Sequence, residues 1–120
     1  MTGSMDQPVW LYSTLEDLRA SSAEVRDTMG GAIRAAQFGE MSDDAEPMKG
    51  DLREVVEIRA HDRDGIYRMM YTTKIGDVLI VLDFIKKKGV AGGATPKVDL
   101  DRIRQRYKKA KEQYGTSKGR

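Results

Sequence analysis

The sequence predicts an α+β domain with the element order β-α-α-β-β-β-α, and three patterns in its 120 residues favour that class. Apolar residues recur at helical spacing between 13 and 37. Apolar and polar residues then alternate with period two from 52 to 85, which is typical of antiparallel strands. A second helical pattern follows from 95 to 114. A chain of this length holds one modest core, so we expect a single domain over 6–115.

Both ends are expected to lie outside that domain. We interpret Met1–Met5 as a tag scar or a disordered start and 116–120 as a frayed tail. No window has 18 consecutive apolar residues and no signal pattern opens the chain, so we expect no membrane span. A chain without Cys suits a reducing compartment, so we expect a cytoplasmic protein. The absence of Cys excludes disulfides, and a single His makes a structural metal site unexpected. No cofactor is expected.

The first third of the chain predicts an edge strand and a helical hairpin. The apolar run 8–12 is the strand, and 13–21 is the first helix. Ser21 or Ser22 is expected to cap the second helix, whose apolar stripe is Val25, Met29, Ile33 (or Ala32) and Ala36. Gly30-Gly31 within it predicts close packing against another element. The acidic segment 40–51, with Pro47 and Gly50, is expected to be a loop.

Three strands are predicted at 52–60, 66–73 and 78–85, with hairpin turns at Asp64-Gly65 and Gly76-Asp77. The first turn would pair Arg63 with Ile66, His61 with Arg68 and Arg59 with Met70. The second would pair Tyr71 with Leu82 and Met69 with Phe84.

These registers divide the strand residues between two faces of the sheet. A core face, which the helical hairpin would cover, collects Val56, Ile58, Tyr67, Met69, Tyr71, Val78, Ile80, Leu82 and Phe84. The opposite face collects Val55, Glu57, Arg59, His61, Arg68, Met70, Leu79, Val81, Asp83 and Ile85. The opposite face is half apolar, so we expect the C-terminal helix to cover part of it. That helix is expected to have Thr95 as its N-cap, Pro96 at its first position, and an apolar stripe of Leu100, Ile103, Tyr107, Ala110 and Tyr114.

The charge of the chain is uneven, although its net value is only +2. Residues 1–50 carry −5 and residues 51–120 carry +7, while the last 36 residues alone carry +9. A basic section of this kind indicates a polyanionic or acidic partner, or simply a solvated basic helix. Lys86, Lys87 and Lys88 at the end of the third strand are open to the same two interpretations.

Two side chains on the mixed face carry candidate chemistry. Arg68 lies mid-strand, where it either pairs with Glu57 or Asp83 or presents its guanidinium to a phosphate. His61, the single imidazole, is either a surface turn residue or a proton-transfer group near Arg68. Tyr67 and Tyr71 are expected to be core rings. The segment "VAGGA" does not have the spacing of a nucleotide-binding loop.

The segments "EIR", "YRMMYT", a strand ending in lysines, and "TPK" before "IRQR" together resemble the HigB-like, phage-derived branch of the RelE toxin superfamily. The resemblance covers about residues 9 to 114. It implies a RelE-like fold and a toxin of a type II toxin–antitoxin pair that acts as a ribosome-dependent mRNA endoribonuclease. It also implies a helix-turn-helix antitoxin as partner, with operator DNA bound only through that antitoxin.

The resemblance also implies the site. Arg68, Lys87 and Lys88 would be catalytic, with His61 as a weaker candidate, and no metal would be needed. Contacts to RNA would come from Arg59, Lys74, Lys86, Lys97 and Arg104. Relatives commonly have His, an aromatic residue and Ser where this chain has Asp83, Ile85 and Gly89. A non-catalytic RNA- or protein-binding member of the same fold, acting in a repressor complex, therefore remains the alternative.

Overall fold

The computed structural model of the chain describes residues 7–88 and 93–115; the predictions for Met1–Met5, for the tail 116–120 and for Gly89 lie outside these ranges. Helices cover both faces of a five-stranded sheet, so the predicted α+β class is confirmed and is consistent with a RelE-like fold. The elements are β1 Val9–Trp10, α1 Thr14–Arg19, α2 Ala23–Gln37, β2 Ala45–Pro47, β3 Val56–Asp62, β4 Gly65–Ile75, β5 Val78–Lys88 and α3 Lys97–Ala110. The strand order is β1-β5-β4-β3-β2, with β1 parallel to β5 and the other neighbours antiparallel.

The helical hairpin packs on one sheet face as predicted. The Ser22 side chain accepts a hydrogen bond from the Val25 N–H and caps α2. Every residue of the predicted α2 stripe is buried: Val25, Met29, Ala32, Ile33 and Ala36. The prediction for Gly30-Gly31 is wrong, because both glycines are exposed and a Cβ on either would meet nothing within 4 Å.

The segment predicted to be a loop contains regular structure. Ala45–Pro47 forms the edge strand β2, and Gly50–Leu52 forms a turn of 3₁₀ helix that buries Leu52. Pro47 is compatible with an edge strand, where a missing N–H removes no interior ladder bond. The strand predicted to begin at 52 begins at Val56 because this 3₁₀ turn comes first.

The β3–β4 register differs by two residues from the prediction. The loop residues are Arg63 and Asp64, and Asp62 pairs with Gly65. One oxygen of Asp62, Oδ1, accepts hydrogen bonds from the Asp64 N–H at 2.9 Å and the Gly65 N–H at 3.2 Å, which sets the turn one residue earlier. A shift of two keeps every side chain on its predicted face.

Between β4 and β5 the predicted register is right at both ends of the pairing. It holds from Gly65–Lys88 to Met70–Asp83 and again beside the predicted turn, where Ile75 pairs with Val78, but it is wrong in between. Met69 pairs with Phe84 as expected, but a β-bulge follows and Tyr71 pairs with Val81 instead of Leu82. The extra residue reverses the alternation. Leu79 and Val81 therefore pack under the hairpin, while Val78, Ile80 and Leu82 pack under α3, opposite to the prediction.

α3 covers the second face with the predicted stripe. Ile103, Tyr107 and Ala110 are buried there, and Leu100 and Tyr114 pack partly buried against them. Its N-cap is Pro96 and not Thr95. A π-helical turn, Lys111–Gly115, ends the described part. None of the helices described in 7–88 and 93–115 is long and apolar enough to cross a bilayer.

Candidate functional site

The strand pairing places nine side chains of the α3 face in three rows across β3, β4 and β5. The first row lies nearest the β3–β4 turn, and the third lies under α3. The rows are His61, Ile66 and Lys87; then Arg59, Arg68 and Ile85; then Glu57, Met70 and Asp83. Four of the predicted site residues, Arg59, His61, Arg68 and Lys87, thus lie within two adjacent rows. His61 stands opposite Ile66 and not Arg68, as the two-residue register shift requires.

The rows differ in their exposure to solvent. His61 and Arg59 are exposed, and the Lys87 side chain is 44% exposed. Arg68, Ile85 and all of the third row are buried. We call the row of His61, Ile66 and Lys87 the open row. Its two outer side chains, His61 on β3 and Lys87 on β5, are separated by β4, so their backbones are about 10 Å from each other. A phosphodiester group bound over Ile66 would therefore lie between the two side chains.

Arg68 is paired within the protein. Its Nε lies 2.8 Å from Glu57 Oε2, an ion pair without the angle of a hydrogen bond, and its Nη2 donates to the Gly93 carbonyl oxygen. Of the two predicted partners, Glu57 is the one it contacts, while Asp83 pairs with α3. The Arg68 side chain is only 3% exposed. The catalytic assignment of Arg68 stays a prediction.

Glu57 is the central acid of this face. Its Oε2 also accepts a hydrogen bond from the Thr95 hydroxyl at 3.2 Å, and its Oε1 lies 3.7 Å from Arg59 Nη2. The Thr95 hydroxyl therefore serves this carboxylate and not the α3 N-terminus. A side-chain pattern alone could not find this contact, because Thr95 and Glu57 are far apart in sequence.

A groove of about 580 Å³ opens beside Glu57. Apolar residues line much of it, and three cations stand around it: Lys49, Arg59 and Arg104. Two residues predicted to contact RNA, Arg59 and Arg104, therefore line the same groove. Lys49 was missed, and nothing in the sequence around it distinguishes it from other surface lysines. Arg104 is engaged by Asp51 through Nε at 2.7 Å and by Asp101 through Nη1 at 2.9 Å. The first of these bonds is the main reason that the pKa of Asp51 is lowered.

The negative charge of Asp83, on the same sheet face as the open row, is balanced by two arginines of α3. Its Oδ2 accepts from Arg102 Nε at 2.8 Å, and its Oδ1 accepts from Arg106 Nη1 at 3.1 Å. Burial alone would lower the pKa of Arg102, but the hydrogen bonds to Asp83 and Asp99 raise it. Arg102 therefore stays charged and fixes α3 to β5.

The other predicted RNA contacts are spread over the surface. Lys86 lies on the hairpin face, 5.5 Å from the centre of the Tyr67 ring, in a second groove away from Arg68. Lys74 lies near the far end of β4, and Lys97 is exposed and bonded to Asp101 at 2.9 Å. The Lys88 side chain lies outside the described part. The predicted core rings Tyr67 and Tyr71 are buried.

No three His, Asp or Glu side chains gather into a possible metal site within residues 7–88 and 93–115.

A family model described as phage derived protein Gp49-like (DUF891) matches residues 16–108, more than three quarters of the chain. The chain belongs to the Gp49-like family. This family is RelE/HigB-like and is associated with the toxins of toxin–antitoxin pairs, which implies an antitoxin partner. Searches of curated proteins and of solved structures found no match.

Proposed function

We propose that this Gp49-like protein is the toxin of a type II toxin–antitoxin pair, of the HigB-like branch, and cuts mRNA on the ribosome. The observation that carries the proposal is the family match over residues 16–108. The sheet face supports it, because Arg59, His61 and Lys87 stand together around the open row. These are the residue types that phosphodiester cleavage without a metal requires.

In the proposed reaction the ribose 2′-OH attacks the adjacent phosphate, and a cyclic phosphate and a free 5′-OH form. Negative charge grows on the phosphoryl oxygens and the leaving oxygen. Lys87 and Arg59 would stabilise that charge, since fixed cations are most effective where charge develops. His61, across the open row, would accept the proton that the 2′-OH loses, and the 5′ oxygen would be protonated as its bond to phosphorus breaks. Lys88 follows Lys87 at the strand end and is a second candidate for the phosphate.

Arg68 would reach the phosphate only after two contacts change. The Gly93 carbonyl covers its Nη2, and Glu57 occupies its Nε side. An incoming phosphate would therefore have to replace one or both of these acceptors. The RNA on either side would follow the groove cations, Arg59 and Arg104, and then Lys97 at the start of α3. Lys74 and Lys86 would contact RNA only at the periphery.

The proposed partners follow from the same assignment. A helix-turn-helix antitoxin would neutralise the toxin, and operator DNA would be bound only through that antitoxin. The substrate is mRNA on the ribosome, and the proposed site of action is the cytoplasm.

The covered state of Arg68 favours a second candidate function. A guanidinium that is neutralised by Glu57 and capped by Gly93 is not presented to a phosphate in this structure. On that ground the protein would be a non-catalytic RNA- or protein-binding member of the fold, acting in a repressor complex.

Induction in a bacterial host without an antitoxin separates the two candidates. The parent is expected to stop growth and to leave mRNA fragments with 5′-OH ends. Lys87→Ala and Arg59→Ala are each expected to lower cleavage by about 10²–10³. His61→Ala should lower it by about 10² or more. Lys109→Ala, which removes an exposed cation from α3, is the matched control and should retain activity.

Two results would decide against parts of the proposal. No growth arrest and no fragments from the parent would favour the non-catalytic candidate. Full activity in both Lys87→Ala and Arg59→Ala would show that the cleavage site lies elsewhere on the protein.

A further inference from the structure

The contact that Lys87 makes with α3 is unusual for a surface lysine. Its Nζ lies 3.6 Å from Asp99 Oδ2, and Asp99 is almost completely buried. This carboxylate oxygen has no hydrogen-bond partner in the described part of the chain. A buried acceptor without a hydrogen bond costs free energy, so its placement calls for a physical reason.

A chain of ion pairs fixes the other oxygen of Asp99. Its Oδ1 accepts from Arg102 Nη2 at 2.8 Å, and Arg102 Nε donates to Asp83 Oδ2 at 2.8 Å. Asp83 is anchored in turn by the Phe84 N–H at 2.8 Å. Asp99 is therefore tied to β5, the strand that carries Lys87.

The charges of this cluster do not cancel. Asp83 and Asp99 supply two negative charges, and Arg102 and Arg106 supply two positive charges. Lys87 adds a third positive charge, which no further carboxylate of the cluster balances, and its side chain is 44% exposed. The two carboxylates and two guanidiniums thus neutralise one another, while the remaining positive charge is presented at the open row.

The position of Asp99 in the first turn of α3 gives it a second effect. A negative charge there interacts favourably with the helix dipole. That effect needs the charge only, however, and does not require one oxygen to lie near Lys87 without a hydrogen bond.

We propose that Asp99 is a positioning residue, whose fixed Oδ2 holds the Lys87 ammonium at the open row. The effect of Asp99 on catalysis rests on the proposed function. The 3.6 Å separation leaves the N–H groups of Lys87 able to donate to a phosphate. Asp99 itself is buried, so it acts on the phosphate through Lys87.

The position of Lys87 can be measured without any activity. The pure protein is treated briefly with an amine-acetylating reagent, and acetylation of each lysine is followed by peptide mass spectrometry. In Asp99→Asn, acetylation of Lys87 should be about two- to five-fold faster than in the parent, because loss of the carboxylate frees the amine and favours its reactive neutral form. The effect is expected to be small, since a partly exposed ion pair contributes little free energy. Asp101→Asn is the matched control on the same helix. It should leave Lys87 unchanged, since Asp101 pairs with Lys97 and Arg104 instead.

Cleavage of mRNA tests whether Asp99 acts through Lys87. Asp99→Asn should lower the rate about tenfold by misplacing the ammonium. In a Lys87→Ala background the same change should alter the rate by less than about twofold, because the group that Asp99 positions is gone. Equal losses in both backgrounds would show a merely structural role and overturn the proposal.

Acetylation of Lys87 that is unchanged in a folded Asp99→Asn protein would also overturn it. If circular dichroism shows that Asp99→Asn does not fold, Asp99→Ser replaces it, since serine is well tolerated near a helix start. A parent that cleaves no mRNA refutes the proposed function, and the acetylation rates then decide on the positioning of Lys87 alone.

Discussion

Replacing Arg68 by methionine is expected to lower the free energy of unfolding by about 3 kcal/mol. The change removes the partner that lies 2.8 Å from Glu57, whose side chain is only 8% exposed. Breaking a buried ion pair by removing one partner costs about 3–5 kcal/mol, because the remaining charge is left without compensation. Glu57 retains the Thr95 hydroxyl at 3.2 Å and Arg59 at 3.7 Å, which places the expected loss at the lower end.

Unfolding can be followed through the fluorescence of Trp10, the single tryptophan, which packs partly buried against the core under the hairpin. For a chain of this size the loss corresponds to a fall in Tm of about 10 °C. Arg59→Met is the matched control. It removes an exposed guanidinium from the same carboxylate and should cost no more than about 1 kcal/mol.

A second variant tests the cause of the loss. Arg68→Met with Glu57→Leu removes both charges and should recover most of the lost stability. A cost below about 1 kcal/mol for Arg68→Met, or a double variant no more stable than the single one, would refute the reasoning. The result also bears on function, because inactivity of an Arg68 variant can be assigned to chemistry only when its fold is shown to be intact.

Two further predictions concern stability. Gly30→Ala and Gly31→Ala should each raise the free energy of unfolding by about 0.5–1 kcal/mol, because the glycines are exposed within α2 and an added methyl group meets no atom within 4 Å. A Tm below that of the parent in thermal melts would contradict this. Burial, and then the hydrogen bond to Glu54, raise the pKa of Tyr107 from 10.0 to about 12. Because the folded pKa is the higher one, this contribution to stability is complete below pH 10 and is lost as pH rises toward 12. Melting from pH 9 to 12 should therefore show a smaller loss in Tyr107→Phe than in the parent, and equal losses would exclude the assignment.

Local patterns in the sequence were sufficient for the three α-helices and for the existence of β1, β3, β4 and β5. The α2 stripe and the α3 stripe are set by a 3.6-residue period within one segment, and both are confirmed. The two faces of β3 and β4 are set by strict alternation, so Arg59, His61 and Arg68 were placed on one face even with the register two residues wrong.

Alternation failed where the chain departs from a regular ladder. The bulge after Met70 reverses Leu79 to Leu82, and no residue type in that apolar run marks it. The 3₁₀ turn Gly50–Leu52 and the short edge strand β2 were also missed. β2 depends on backbone pairing with β3 more than on its own sequence. The 3₁₀ turn is closed by local hydrogen bonds from the Leu52 N–H to the Lys49 carbonyl and from the Arg53 N–H to the Gly50 carbonyl, and no apolar periodicity marks so short a turn.

The candidate site divides in the same way. Residue type and alternation determined which cations share the face of Arg68, and the +9 charge of the last 36 residues indicated a polyanion. Only the tertiary structure decided which of those cations are engaged. Glu57 was one of two partners predicted for Arg68, and the structure decided between them. The contacts of Arg68 with Gly93 and of Lys87 with Asp99 join the sheet to the segment that begins α3. Such contacts arise when the sheet and α3 pack together, so no local pattern can specify them.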